Sequence, residues 1–265
     1  MTRDDWRKYC CEFIGTFSLV FFAAGAVVVD GLVGDGLGMV GAGLISGMVI
    51  TVVIYAFGHI SGAHVNPALS LAAVLIGHLD RRLLPGYVIA QMAGSVFAGM
   101  CLLWAIGDYN SMGANLPNIE LGISPVTALL IELFLSFLLM WVVAGVGLDK
   151  RAHGPFASLA VGAVVGIEVM LFGAVAGAAM NPARAFGPYV AMGDFSHYWI
   201  YLVGPFAGMA LGGFAYRFTH ALGGRAVSVM KCSSGRLRVR QGGLQDDALG
   251  REPYRDDGAG AEFAL

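Results

Sequence analysis

The tripeptide Asn-Pro-Ala occurs twice in a strongly apolar chain, as Asn66-Pro67-Ala68 and Asn181-Pro182-Ala183, and each copy opens an apolar segment too short to cross a bilayer. A spanning helix needs about 20 apolar residues. Residues 66–77 and 181–193 fall well short of that. Each follows a longer apolar stretch through a link of mostly small residues, Ser61-Gly62-Ala63-His64-Val65 and Ala176-Gly177-Ala178-Ala179-Met180. Non-helical backbone at membrane depth is tolerated only where it is buried in protein or lines a wet cavity. The pair therefore predicts two re-entrant half-helices around a cavity, inside an all-α integral membrane protein.

Six stretches are long and apolar enough to span: 9–29, 36–57, 83–106, 121–148, one beginning near 154, and 195–216. Only 13% of the chain is charged against 57% hydrophobic, where a soluble domain carries about a quarter charged residues. The net charge of −2 offers no basic field for nucleic acid. Lys and Arg mark the cytoplasmic side. Arg3, Arg7, Lys8, Arg81, Arg82, Lys150, Arg151, Arg217 and the bases of the C-terminal tail all fall on one side of six spans, together with both termini. The opposite loops carry Asp30, Asp35, Asp108, Glu120 and Asp194, and their one basic residue is Arg184. No cleavable signal precedes the first span, and a multi-pass plasma (inner) membrane protein is expected.

The two halves resemble each other. Glu12 opens the first span and Glu132 the fourth; Phe17 and Phe137 each follow five residues later; Gly62 and Gly177 each precede their Asn by four; Gly94 and Gly208 occupy the third and sixth spans. This divides the chain into a cytoplasmic start (1–8), a first repeat (9–115), a second repeat (116–220) and a polar tail (221–265) that lacks the composition of a packed core. Each repeat has three spans, an odd number, so the second enters the membrane upside down. Inverted repeats bring their interrupted segments face to face near the midplane. A lone Asn-Pro-Ala is a turn before a helix; two in matching places of an inverted repeat are a device.

Asn is a strong N-cap and Pro suits the first helical position, so both tripeptides read as helix starts with positive dipole ends at the midplane. If each Asn caps its own helix through its carbonyl oxygen, its amide N–H groups are left to donate to a passing oxygen. Cations are then repelled at the centre, and the carbonyls of the links offer acceptors along one wall.

These residues resemble the aquaporin, or major intrinsic protein, family over residues 9 to about 218. The resemblance rests on residues 61–68, on Asn181-Pro182-Ala183-Arg184 and on the repeated Glu pair. It implies a passive channel for water and small uncharged solutes and a homotetramer with one pore per subunit; separately, the sequence shows no nucleophile–base constellation and no metal-ligand spacing, so no cofactor, metal or enzymatic activity is expected. The resemblance also implies a four-position selectivity filter, found by counting from the two Asn residues at Ser46, Val169, Ala178 and Arg184. Water-selective members place Phe and His where this chain has Ser46 and Val169. Glycerol facilitators pair two aromatic filter residues with Asp after the Arg, where this chain has Ala185. The small filter and Tyr201-Leu202 look more like plant nodulin-like intrinsic proteins, which implies passage of glycerol, urea, or boric, silicic or arsenious acid.

Other residues carry weaker expectations. Glu12 and Glu132 are intramembrane carboxylates and so partnered or functional; loop support is the reading here, and a proton relay the alternative. Glu168, beside Val169, either polarises the filter or faces a neighbouring helix or subunit. His64 and His59 flank the first link and belong to a cytoplasmic vestibule or to structure. Cys10, Cys11, Cys101 and Cys232 have no metal or disulfide spacing. Two other functions stay open: a strict water channel whose filter is refilled by another side chain, and a proton-coupled transporter using the buried carboxylates.

Overall fold

The computed structural model describes residues 1–34, 36–149 and 154–220. The chain divides into a compact unit, 1–223, and a second, 224–265, which lies outside the described residues together with the expected tail and Cys232. The described structure is all-helical: α1 (Arg3–Val33), α2 (Gly38–Ser61), α3 (Pro67–Leu75), α4 (Leu84–Ala105), α5 (Pro125–Val143), α6 (Ala157–Ala176), α7 (Pro182–Met192) and α8 (Tyr198–Thr219). Among the described residues, six helices are long and apolar enough to cross a membrane; α5 contributes with the π-helical turn Ala144–Leu148 that continues it. The short α3 and α7 are the half-helices.

Helix limits follow local chemistry. Helix α1 starts at Arg3, earlier than its apolar run, because Thr2 and Asp5 form a capping box: Thr2 N donates to Asp5 Oδ2 (2.7 Å) and Asp5 N to Thr2 Oγ1 (3.2 Å). At the far end of α1, Asp30 accepts from Leu37 N (2.5 Å) and Gly38 N (3.0 Å), so one helix supplies the N-terminal cap of the next. Ser124 caps α5, with Pro125 in the first turn.

Small residues set the packing. A Cβ on Gly204 would lie 2.8 Å from Glu132 Cβ, one on Gly212 2.6 Å from Phe137 O, and one on Gly208 would collide with Leu133 O. Helices α8 and α5 thus touch backbone to backbone, the close approach that small residues permit in membranes. Gly94 of α4 meets Phe13 O of α1 in the same way, which is the same contact in the first repeat. Helices α2 and α6 cross where a Cβ on Gly47 would lie 2.5 Å from Gly162 O and one on Gly43 2.7 Å from Gly166 O. Each half-helix docks on the last span of the other repeat. Gly187 of α7 lies against Ser95 of α4, and Gly213 of α8 lies against Ile76, just past α3. The outward faces, with Val40, Ile89 and Leu171, are exposed and apolar.

Candidate functional site

Asn66 and Asn181 stand at the starts of α3 and α7. Asn66 Oδ1 accepts from Ala68 N (2.9 Å) and Leu69 N (3.3 Å); Asn181 Oδ1 accepts from Ala183 N (2.9 Å) and Arg184 N (3.2 Å). Pro67 and Pro182 fill the first helical positions and are buried with Ala68 and Ala183. The amide nitrogens are not wholly free, which corrects the expectation from sequence. Asn66 Nδ2 donates to Met180 O (2.9 Å) and Asn181 Nδ2 to Val65 O (2.8 Å). Each Asn thus latches onto the link of the other repeat. An amide has two N–H donors, so one per Asn remains for a solute.

The links are held in costly backbone shapes. Ala63 (φ 45°), Val65 (φ 44°), Ala178 (φ 48°) and Met180 (φ 51°) are all left-handed, a conformation that is a genuine outlier for a β-branched residue such as Val65. Buried carboxylates hold them there. Glu12 accepts from Ser61 Oγ (2.7 Å), His64 N (2.9 Å), Val65 N (2.6 Å) and Gln91 Nε2 (2.8 Å). Glu132 accepts from Ala179 N (2.7 Å) and Met180 N (2.8 Å). Tyr87 OH donates to Ser61 O (2.6 Å) and Tyr201 OH to Ala176 O (2.9 Å), one bond in two copies. The repeat is not exact: where α4 has Gln91, four residues after its Tyr, α8 has Pro205, which has no side-chain donor.

A cavity of about 470 Å³ runs past both Asn residues. Ser46, Val169, Ala178 and Arg184 line it on one side of them, and Tyr55, His59, His64 and Pro155 on the other. Arg184 Nη1 donates to Gly113 O (2.8 Å) and Asn115 Oδ1 (2.6 Å). Ser46 Oγ donates to Ala42 O (2.7 Å), so toward the cavity its hydroxyl offers lone pairs.

The family model described as Major intrinsic protein matches residues 1–216. Aquaporin NIP1-1 of Zea mays is 41% identical over 218 residues, covering 81% of this chain and 76% of that protein. Aquaporin NIP3-1 of Arabidopsis thaliana is 33% identical over 247 residues, covering 91% and 76%. The chain belongs to the major intrinsic protein family. Its fold is that of a solved structure, the aquaglyceroporin from Plasmodium falciparum, with a TM-score of 0.73 at 24% identity over 82% of this chain and 97% of that one.

The major intrinsic proteins are membrane channels, and in this one the four counted filter positions share the cavity with both Asn residues. His64 Nδ1 lies 3.1 Å from Ser70 Oγ, and its ring meets that of Tyr87 edge-on, so His64 is built into the wall. His59 is exposed at the far mouth. Glu168 is buried within the single chain at 4% exposure, which removes a subunit-facing role. Both its oxygens lack a hydrogen-bond partner among the described residues. Sequence reasoning missed Gln91, Ser61 and Asn115. The first two could have been found by asking what else reaches Glu12; Asn115 lies in the loop that joins the two repeats, where the internal comparison of the halves gives no signal.

Proposed function

We propose that this channel passes water and small uncharged solutes passively through one pore per subunit. Its filter of Ser46, Val169, Ala178 and Arg184 admits glycerol, urea or hydroxylated acids of boron, silicon or arsenic. The observation that carries this reading is the shared cavity: the filter positions bring no aromatic side chain to it, and Val169 and Ala178 are small. Arg184 supplies donors, Ser46 and the link carbonyls supply acceptors, and a solute bearing hydroxyls needs both. At the centre, two Asn donors and two positive helix ends oppose cations, and the water oxygen must face them, which breaks a proton relay.

Passive flux fits the two partnered carboxylates, Glu12 and Glu132. The oxygens of Glu12 already accept from Ser61, His64, Val65 and Gln91, an arrangement for support rather than proton carriage. We read the termini as cytoplasmic from the basic residues gathered at one end of the bundle, the membrane as the plasma (inner) membrane, and the assembly as a homotetramer. We assign no chemical transformation and no cofactor.

The full chain reconstituted in liposomes tests the reading by stopped-flow light scattering. Glycerol and boric acid should enter well above empty vesicles, without saturation and without dependence on a pH gradient. Passage of water alone would make the chain a strict water channel. Ser46→Phe should sharply reduce solute entry while sparing water; unchanged solute entry would remove Ser46 from the constriction.

A further inference from the structure

We propose that Asn115, in the loop between α4 and α5, is a positioning residue of the filter: it fixes the orientation of Arg184 and thereby sets how well hydroxylated solutes compete with water. The proposal rests on the filter reading above.

The loop is anchored at both ends. On one side, Asn110, Ser111 and Met112 (φ 46°, 51° and 56°) turn left-handed, followed by Gly113 (φ 65°). That turn drives Met112, fully buried, into the cluster of α1 and α4 residues around Val20, Val28 and Leu102. On the other side, the loop completes the C-terminus of α6. The last carbonyls of a helix lack partners within it. Here Asn118 Nδ2 donates to Ala174 O (2.9 Å), Asn118 N to Val175 O (3.0 Å) and Asn115 Nδ2 to Gly177 O (2.7 Å).

Asn115 stands between the anchors and uses every polar group of its side chain. Oδ1 accepts from Arg184 Nη1, while Nδ2 holds the carbonyl of Gly177, the residue before filter Ala178. Its backbone carbonyl accepts from Tyr189 OH (2.8 Å), and it is 3% exposed. A Cβ on Gly177 would lie 2.8 Å from Asn115 Cβ, so the two backbones are pressed together. With Gly113 O as second acceptor, Nη1 is fully engaged and the guanidinium plane is fixed. Arg carries five N–H donors in a rigid fork, and Nε and Nη2 have no protein partner among the described residues. They are the donors left for a solute. Without Asn115 the fork is held by one carbonyl and can turn, and the solute loses its aligned pair. Water, with a single oxygen to satisfy, loses less.

The test uses the full chain in liposomes, comparing glycerol and water permeability for Asn115→Leu, Asn115→Asp, Asn118→Ala, Arg184→Ala and the Asn115→Leu/Arg184→Ala double variant. Asn115→Leu should lower the glycerol-to-water ratio by about tenfold, the weight of one hydrogen bond to a charged group. Asn115→Asp keeps the acceptor for Arg184 and should stay closer to the parent ratio. Asn118→Ala weakens the same loop without touching Arg184 and should leave the ratio alone. In the Arg184→Ala background the Asn115 change should add nothing, since contacting residues couple. Should Asn115→Leu fail to yield folded protein, Asn115→Ser removes the same contact with less volume change. An unshifted ratio, additivity with Arg184→Ala, or an equal shift from Asn118→Ala would each overturn the proposal. If the parent passes water alone, the wide filter falls, and the same cycle on water permeability still judges Asn115.

Discussion

Each pore Asn combines a helix cap with a donor, and substitution separates the two. Asp caps a helix as well as Asn does, so Asn181→Asp keeps the bonds from Ala183 N and Arg184 N. It loses the donor to Val65 O and places an acceptor-only group at the centre. We expect Asn181→Asp to fold and to admit cations, read as a proton or sodium leak in liposomes; a tight variant would mean that the helix dipoles alone exclude charge. Asn181→Leu also leaves Val65 O without its donor, and it loses the cap as well, about 1 kcal/mol more. It should lose folded yield where Asn181→Asp does not. Glu168 has the opposite balance. Its buried oxygens have no partner among the described residues, and an unsatisfied buried polar group costs about 1–3 kcal/mol. Glu168→Met should therefore raise the apparent melting temperature in detergent, by roughly 2–4 °C per kcal/mol, without changing glycerol flux. A fall would reveal a partner for the carboxyl.

Elements were legible where one chemistry repeats locally. Asn-Pro announces a helix start wherever it occurs, and the apolar runs located all six spans, because both signals are read within a few residues. The glycines at 204, 208 and 212 showed a packing face by their spacing, but nothing in one sequence says that α5 is what they meet. Gly43 and Gly47, and Gly162 and Gly166, have the same spacing, and only the fold joins them. The loop from 107 to 123 was illegible for a different reason. Its left-handed turn includes Ser111 and Met112, types that do not favour positive φ, and its bonds reach α6 and α7 far along the chain. Extra volume at a glycine contact should be intolerable wherever backbone faces backbone. Gly208→Ala would place its Cβ against Leu133 O, and overpacking costs about 1–3 kcal/mol. Gly36→Ala, with nothing within 4 Å, is the matched control. Monodisperse protein recovered from detergent should drop for Gly208→Ala and not for Gly36→Ala; equal recovery would mean that α5 and α8 can part without harm.

At the scale of the whole molecule, the repeats are related units but not separable ones. The two Asn latches cross between them, each half-helix packs on the other repeat, and α2 meets α6 glycine to glycine. The pore exists only where the halves interlock, so its axis and its asymmetry belong to the pair. The asymmetry gives the channel a direction. On one side of the Asn residues stand Arg184, Ser46 and the clamped loop; on the other the cavity opens past His64 to His59 and Tyr55. Arg3, Arg7, Lys8, Arg81, Arg82 and Arg217 share one end of the bundle, whereas Arg184 lines the cavity and does not count toward that end. By the excess of Lys and Arg on cytoplasmic segments, we propose that the filter positions face outward. Cys10, exposed near the start of α1, reports on this directly. In a variant retaining Cys10 as its one cysteine, a membrane-impermeant maleimide applied to intact cells should leave the protein unlabelled and should label it after permeabilisation. Labelling of intact cells would turn the molecule over, put Arg184 and Ser46 at the inner mouth, and make the filter a barrier to exit rather than entry.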